Sequence, residues 1–145
     1  MLHHHKIPNS HTNWSFRIFA INSKLNSKLP KVLWENPNPS AEFGTTVITL
    51  NSTDYDYIVV NCGSSTTELP NMYSTSQAHP GETAVVMLTA KSDKDAMRIS
   101  RSFKVAENKE TITPTVGSKF TQGSSSTITD NSKLIPKRVI GYHYQ

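Results

Sequence analysis

The stretch Met97-Arg98-Ile99-Ser100-Arg101-Ser102-Phe103-Lys104-Val105 decides the fold. Apolar Met97, Ile99, Phe103 and Val105 alternate with Arg98, Ser100, Ser102 and Lys104, and successive side chains of an extended strand point to opposite faces. A helix would need apolar residues three and four apart. The segment therefore reads as a half-buried strand, with Arg98 and Lys104 on its solvated side and Arg101 as the one residue out of phase.

Towards the N-terminus, Ser92-Asp93-Lys94-Asp95 reads as a turn, and Thr83–Ala90 before it is apolar and β-branched. Thr45–Leu50 is β-branched almost throughout, and Tyr55–Cys62 has a near-continuous apolar centre; both suit strands. Asn51-Ser52-Thr53-Asp54 between them has turn chemistry, so the two strands are expected to pair antiparallel. Val32-Leu33-Trp34 is closed by Asn36-Pro37-Asn38-Pro39-Ser40, where two prolines one residue apart forbid helix. The stretch Gly63 to Gly81 lacks clear periodicity; Leu69, Met72 and Tyr73 anchor it, with room for a short strand at Leu69–Ser74.

Towards the C-terminus, Thr111–Val116 and Ser125–Thr129 are weaker strands flanked by Gly117 and Gly123. Leu134 to Tyr144 closes in a strand that Pro136 must enter at an edge or at its start. Short strands at this spacing, without a convincing amphipathic helix, indicate a β-sandwich or barrel. The expectation is an all-β, antiparallel, jelly-roll-like sandwich of about eight short strands over residues 31–145. Residues 1–30 form an appendage, a tag remnant or linker, with one strand placed at Ser15–Ile21.

Composition agrees: 35% hydrophobic and 18% charged residues leave room for abundant Ser, Thr and Asn, which suit turns and solvent-facing strand positions. The net charge of +4 raises nucleic acid as a partner, but the basic residues are scattered, whereas phosphate-backbone binders concentrate them. No nucleic-acid partner is expected. The single Cys62 excludes an intramolecular disulfide and cysteine-rich zinc sites, and it reads as a small buried hydrophobe. No apolar run approaches the ~20 residues that span a bilayer, so no membrane insertion is expected. The first apolar cluster is short and interrupted by Arg17, unlike a secretory signal. Folding in a reducing cytoplasm is the expectation that follows.

His3-His4-His5 does not converge on one ion, and nucleophile-elbow, phosphate-loop, dinucleotide and zinc-protease signatures are absent. The chain is expected to be no enzyme and to hold no cofactor or metal. Asp54 with Asp56, and Asp93 with Asp95, are spaced to share a face of an extended chain, although solvated acids in turns explain them more simply, Asp being a preferred turn residue. His79 and His143 are lone histidines. Tyr55, Tyr57, Tyr73, Tyr142 and Tyr144 form a suggestive set, because sugar binders place aromatic faces beside amide and carboxylate groups. Core packing is the competing explanation for Tyr55 and Tyr57. The candidate ligand-binding residues are Tyr73, Asn71, His79, Asp54 and Asp56.

Val32-Leu33-Trp34-Glu35-Asn36-Pro37-Asn38-Pro39-Ser40, then Phe43, Thr45–Leu50 and Asp54-Tyr55-Asp56-Tyr57-Ile58, resemble a domain of tail-fibre and baseplate proteins of long-tailed phages and prophages of Gram-positive bacteria. The close, Leu134-Ile135-Pro136 before Val139-Ile140-Gly141-Tyr142, is similar to it too. The resemblance covers about Lys31 to Gln145, with specific motifs at its two ends. It implies a virion protein at the phage tail, synthesised in the bacterial cytoplasm and often a homotrimer, that contacts other tail proteins and attaches to a host cell-wall or surface glycan. Trp34 would plug one end of the sandwich. A structural virion domain without a ligand and a bacterial surface adhesin are the alternatives.

Overall fold

A computed structural model of the chain describes residues 17–18, 20–25, 28–64, 73–91 and 96–144. The chain divides into two compact units, residues 1–29 with residue 145, and Pro30–Tyr144. In the first unit, residues 17–18 and 20–25 are helical, which corrects the strand expected over Ser15–Ile21. Ile18, Ile21 and Leu25 recur three and four apart, a helical spacing, and their side chains are exposed.

The second unit carries ten strands among its described residues: β1 (Lys31–Glu35), β2 (Ile48–Thr49), β3 (Tyr57–Gly63), β4 (Tyr73–Ala78), β5 (Thr83–Lys91), β6 (Ala96–Val105), β7 (Thr111–Pro114), β8 (Ser118–Thr121), β9 (Thr127–Thr129) and β10 (Ile135–Tyr142). They form two antiparallel sheets, so the protein is an all-β sandwich with ten strands where about eight were expected. Sheet A has the order β1-β10-β3-β4; sheet B runs β2-β7-β6-β8-β9, with β5 on the other side of β6.

β6 organises sheet B. Along one edge it pairs with all of β5; along the other, Phe103–Val105 pair with β7 and Met97–Ser100 with β8. Ile99, Phe103 and Val105 are fully buried and Arg98 and Lys104 are exposed, as the alternation requires. Arg101 keeps the inward phase and is 1% exposed. It lies where the second edge passes from β7 to β8. Its Nη2 donates to Asn131 Oδ1 at 3.2 Å, an oxygen that also accepts from the Gly117 amide at 3.0 Å; Nε and Nη1 meet no hydrogen-bond partner. Burial lowers the Arg101 pKa below its ordinary value.

The strands expected at Thr45–Leu50 and Tyr55–Cys62 do not pair. β2 joins β7 in sheet B, while β3 lies between β10 and β4 in sheet A. The polar segment 50–56 crosses from one sheet to the other, held by the Leu50 amide on Glu110 O, the Asn51 amide on Leu33 O and the Asp56 amide on Tyr142 O. Pro136 is the second residue of β10, and the register slips between Pro136 and Arg138, so the missing amide falls at a strand start beside a bulge.

Leu33, Ile58, Val60, Cys62, Ala84, Val86, Ile99, Phe103, Ile112 and Val139 meet in one core from both sheets. Trp34 is half-buried against this core with Phe43 edge-on at 6.0 Å. Tyr55 is 1% exposed, and its hydroxyl donates to Lys109 O at 3.1 Å. Tyr55 is therefore a core residue, and burial raises its phenol pKa.

Candidate functional site

The outward face of sheet A is set by strand register. In β3, Ile58, Val60 and Cys62 are buried, leaving Tyr57, Val59 and Asn61 outward. Pairing then lays out rows across the sheet: Tyr142 beside Tyr57; Val32, Ile140, Val59 and Gln77; Glu35, Arg138, Asn61 and Thr75; and Tyr73 opposite Gly63. Tyr73, Thr75 and Gln77 are exposed.

At one end of this face lies a cleft of about 550 Å³ lined by Glu35, Asn36, Asn61, Tyr73, Ser74, Thr75, Lys137 and Arg138, among others. Tyr73 is 71% exposed at its margin. Arg138 pairs with Glu35, and Lys137 Nζ donates to the carbonyls of Pro39 and Ser64. Desolvation lowers the Lys137 pKa, the response of a half-buried cation held by neutral oxygens. The cleft thus offers one large aromatic face, amides, hydroxyls and charges of both signs, an arrangement suited to orienting a polar ligand.

At the opposite end, Tyr57 and Tyr142 stack at 5.3 Å with 10° between planes. Tyr144 and His79 stand 5.9 Å and 6.0 Å from Tyr57, and His79 Nε2 is 2.6 Å from the Tyr144 hydroxyl. The corner after β4 fixes His79, whose amide donates to Glu82 Oε2 at 3.0 Å. Beside the rings, His143 lies between Asp54 Oδ1 at 3.6 Å and Asp56 Oδ2 at 3.5 Å. Asp56 Oδ2 accepts the Tyr144 amide at 2.8 Å. Lys31 Nζ is 2.6 Å from Asp54 Oδ2 and holds the Asp54 carboxyl below its usual value.

The five candidate residues therefore do not form one site. His79, Asp54 and Asp56 gather at the ring cluster, Tyr73 borders the cleft, and Asn71 lies outside the described residues, as do Asp93 and Asp95. The six residue steps from Tyr73 to His79, at roughly 3.3 Å each, separate the two groups by about 20 Å. Sequence reasoning missed Glu35, Asn61, Thr75, Lys137 and Arg138, which surround Tyr73. Their adjacency depends on β10 inserting between β1 and β3, and no local signal in the sequence reports that. No group of three or more His, Cys, Asp or Glu that could hold a metal ion occurs among the described residues, nor is any described helix long and apolar enough to cross a membrane. Cys62 is buried; burial pushes its thiol from 9.0 up to about 12, far from the range of a nucleophile.

No protein-family model, curated protein or solved structure matches the chain.

Proposed function

We propose that the chain is a non-catalytic attachment domain of a phage tail or baseplate that binds a host cell-wall or surface glycan. One observation carries the binding part of this reading: Tyr73, 71% exposed, stands at a cleft with the amide of Asn61, the hydroxyl of Thr75 and the charged Glu35 and Arg138. Aromatic rings stack on the apolar faces of sugars while amides and charged groups bond to hydroxyls. The phage-tail part rests on the resemblance carried by Val32–Ser40, Asp54–Ile58 and Leu134–Tyr142. On this reading the domain works within a virion, as a homotrimer beside other tail proteins.

The test is retention on Gram-positive cell walls and on a glycan array. The wild-type chain is expected to be retained and Tyr73→Ala to lose retention; a negative from the wild type on both surfaces defeats the proposal.

A structural virion role without a ligand draws support from a different observation. Val85 and Met87 on β5 are 47% and 57% exposed, apolar surface that suits contact with another subunit. This reading expects a stable oligomer by light scattering together with no glycan retention.

A further inference from the structure

The outward face of sheet A carries more aromatic surface than the fold requires. Ile58, Val60, Ala78 and Val139 already fill the inward side, yet Tyr57, Tyr142, Tyr144 and His79 assemble on or beside the other. Tyr144 is 58% exposed at the margin of this cluster. Val59 and Ile140, both half-buried, lie between it and the cleft, with the exposed amide side chain of Gln77 next to Val59. The surface thus runs from a ring with polar neighbours, over an uncharged middle, to a second group of rings flanked by Asp56 and Glu82.

We propose that the ring cluster around Tyr57 is a second saccharide station, so that the ligand is an extended glycan lying along β3 and β4 from Tyr73 to Tyr144. This rests on the glycan-binding reading of the Tyr73 cleft and adds the ligand's length and direction. One exposed tyrosine gives weak binding. Two stations about 20 Å apart along the strands, occupied by the same molecule, turn the second contact into an intramolecular event with a high effective concentration. A short saccharide reaches one station and gains none of this.

The experiment titrates the full chain with purified Gram-positive wall polysaccharide cut into graded lengths. Affinity is expected to rise steeply once fragments span both stations. Tyr144→Ala and Gln77→Ala are each expected to weaken binding of long fragments by roughly fivefold and to leave short fragments unchanged, whereas Tyr73→Ala weakens both. Circular dichroism checks that each variant folds, and Gln77, exposed on its strand, serves should Tyr144→Ala not fold. Affinity independent of length, or long-fragment binding unaffected by both variants, overturns the second station while leaving the Tyr73 reading standing. No binding of any fragment by the wild-type chain overturns both.

Discussion

Gly117 makes room for the guanidinium of Arg101: a Cβ at position 117 would stand 2.7 Å from Arg101 Nη2 and 2.2 Å from the carbonyl oxygen of Asp130. The second contact is with backbone, which has little freedom to move. Gly117→Ala is expected to destabilise the domain by roughly 3 kcal/mol, the scale of overpacking in a close-packed interior. Urea unfolding measures it, and a loss below about 0.5 kcal/mol would mean that the 117–130 contact relaxes freely.

Arg101 itself is expected to contribute little net stability. Arginine stays protonated, and removing that charge from water costs several kcal/mol against one hydrogen bond to Asn131. Arg101→Met keeps much of the volume and leaves the Asn131 side chain bonded to the Gly117 amide. The variant is expected to be as stable as the parent or up to about 2 kcal/mol more stable. A loss of more than 2 kcal/mol by the same unfolding assay would show that the arginine has strong partners in solution.

Cys62 links stability to alkaline pH. Its thiol pKa is raised from 9.0 to about 12 by burial, so the folded chain holds this proton more tightly than the unfolded one. The associated stability is complete below pH 9, then lost as pH climbs through the folded value. Cys62→Ala is expected to flatten the alkaline limb of a melting-temperature profile. At pH 8 a thiol reagent should modify the wild-type chain only after denaturant is added; prompt labelling of native protein would contradict the buried placement.

Asp54 behaves in the opposite sense. Lys31 depresses its pKa, so the contribution of this pair is present above the ordinary carboxylate value of 3.8 and disappears as pH falls through the lower folded value. Carbon-detected NMR titration should place the Asp54 midpoint below 3.8, with Lys31→Met returning it towards that value. An unchanged midpoint in Lys31→Met would show that the 2.6 Å contact is not populated in solution.

What could be read in advance follows from how locally each feature is determined. Strands β5 and β6 were legible because alternation is local; that they pair along their whole length was not read in advance. Pairing of β2 with β7 was not, because the turn residues Asn51–Asp54 suit a hairpin and a crossing between sheets alike. Strand β8, Ser-Lys-Phe-Thr, is too short and polar to show a period. β4 runs over Tyr73–Ala78, past the expected Leu69–Ser74, of which residues 69–72 lie outside the described residues; this extension splits the candidate site, because a strand now separates Tyr73 from His79. Asp54 and Asp56 stand one near each nitrogen of the His143 ring, not as a pair on one face of a strand. Their common partner His143 is about ninety residues further along the chain, beyond any local motif.

The position of β10 has a consequence for how the domain is made. This strand comes last in order, yet it sits inside sheet A between β1 and β3. During translation β1 and β3 emerge without the neighbour that joins them, and half of the sandwich waits, its apolar surface bare, until residues 135–142 leave the ribosome. Such long-range closure slows folding and exposes the nascent chain to aggregation. Rapid, abundant synthesis is the condition that would crowd such unfinished sheets together.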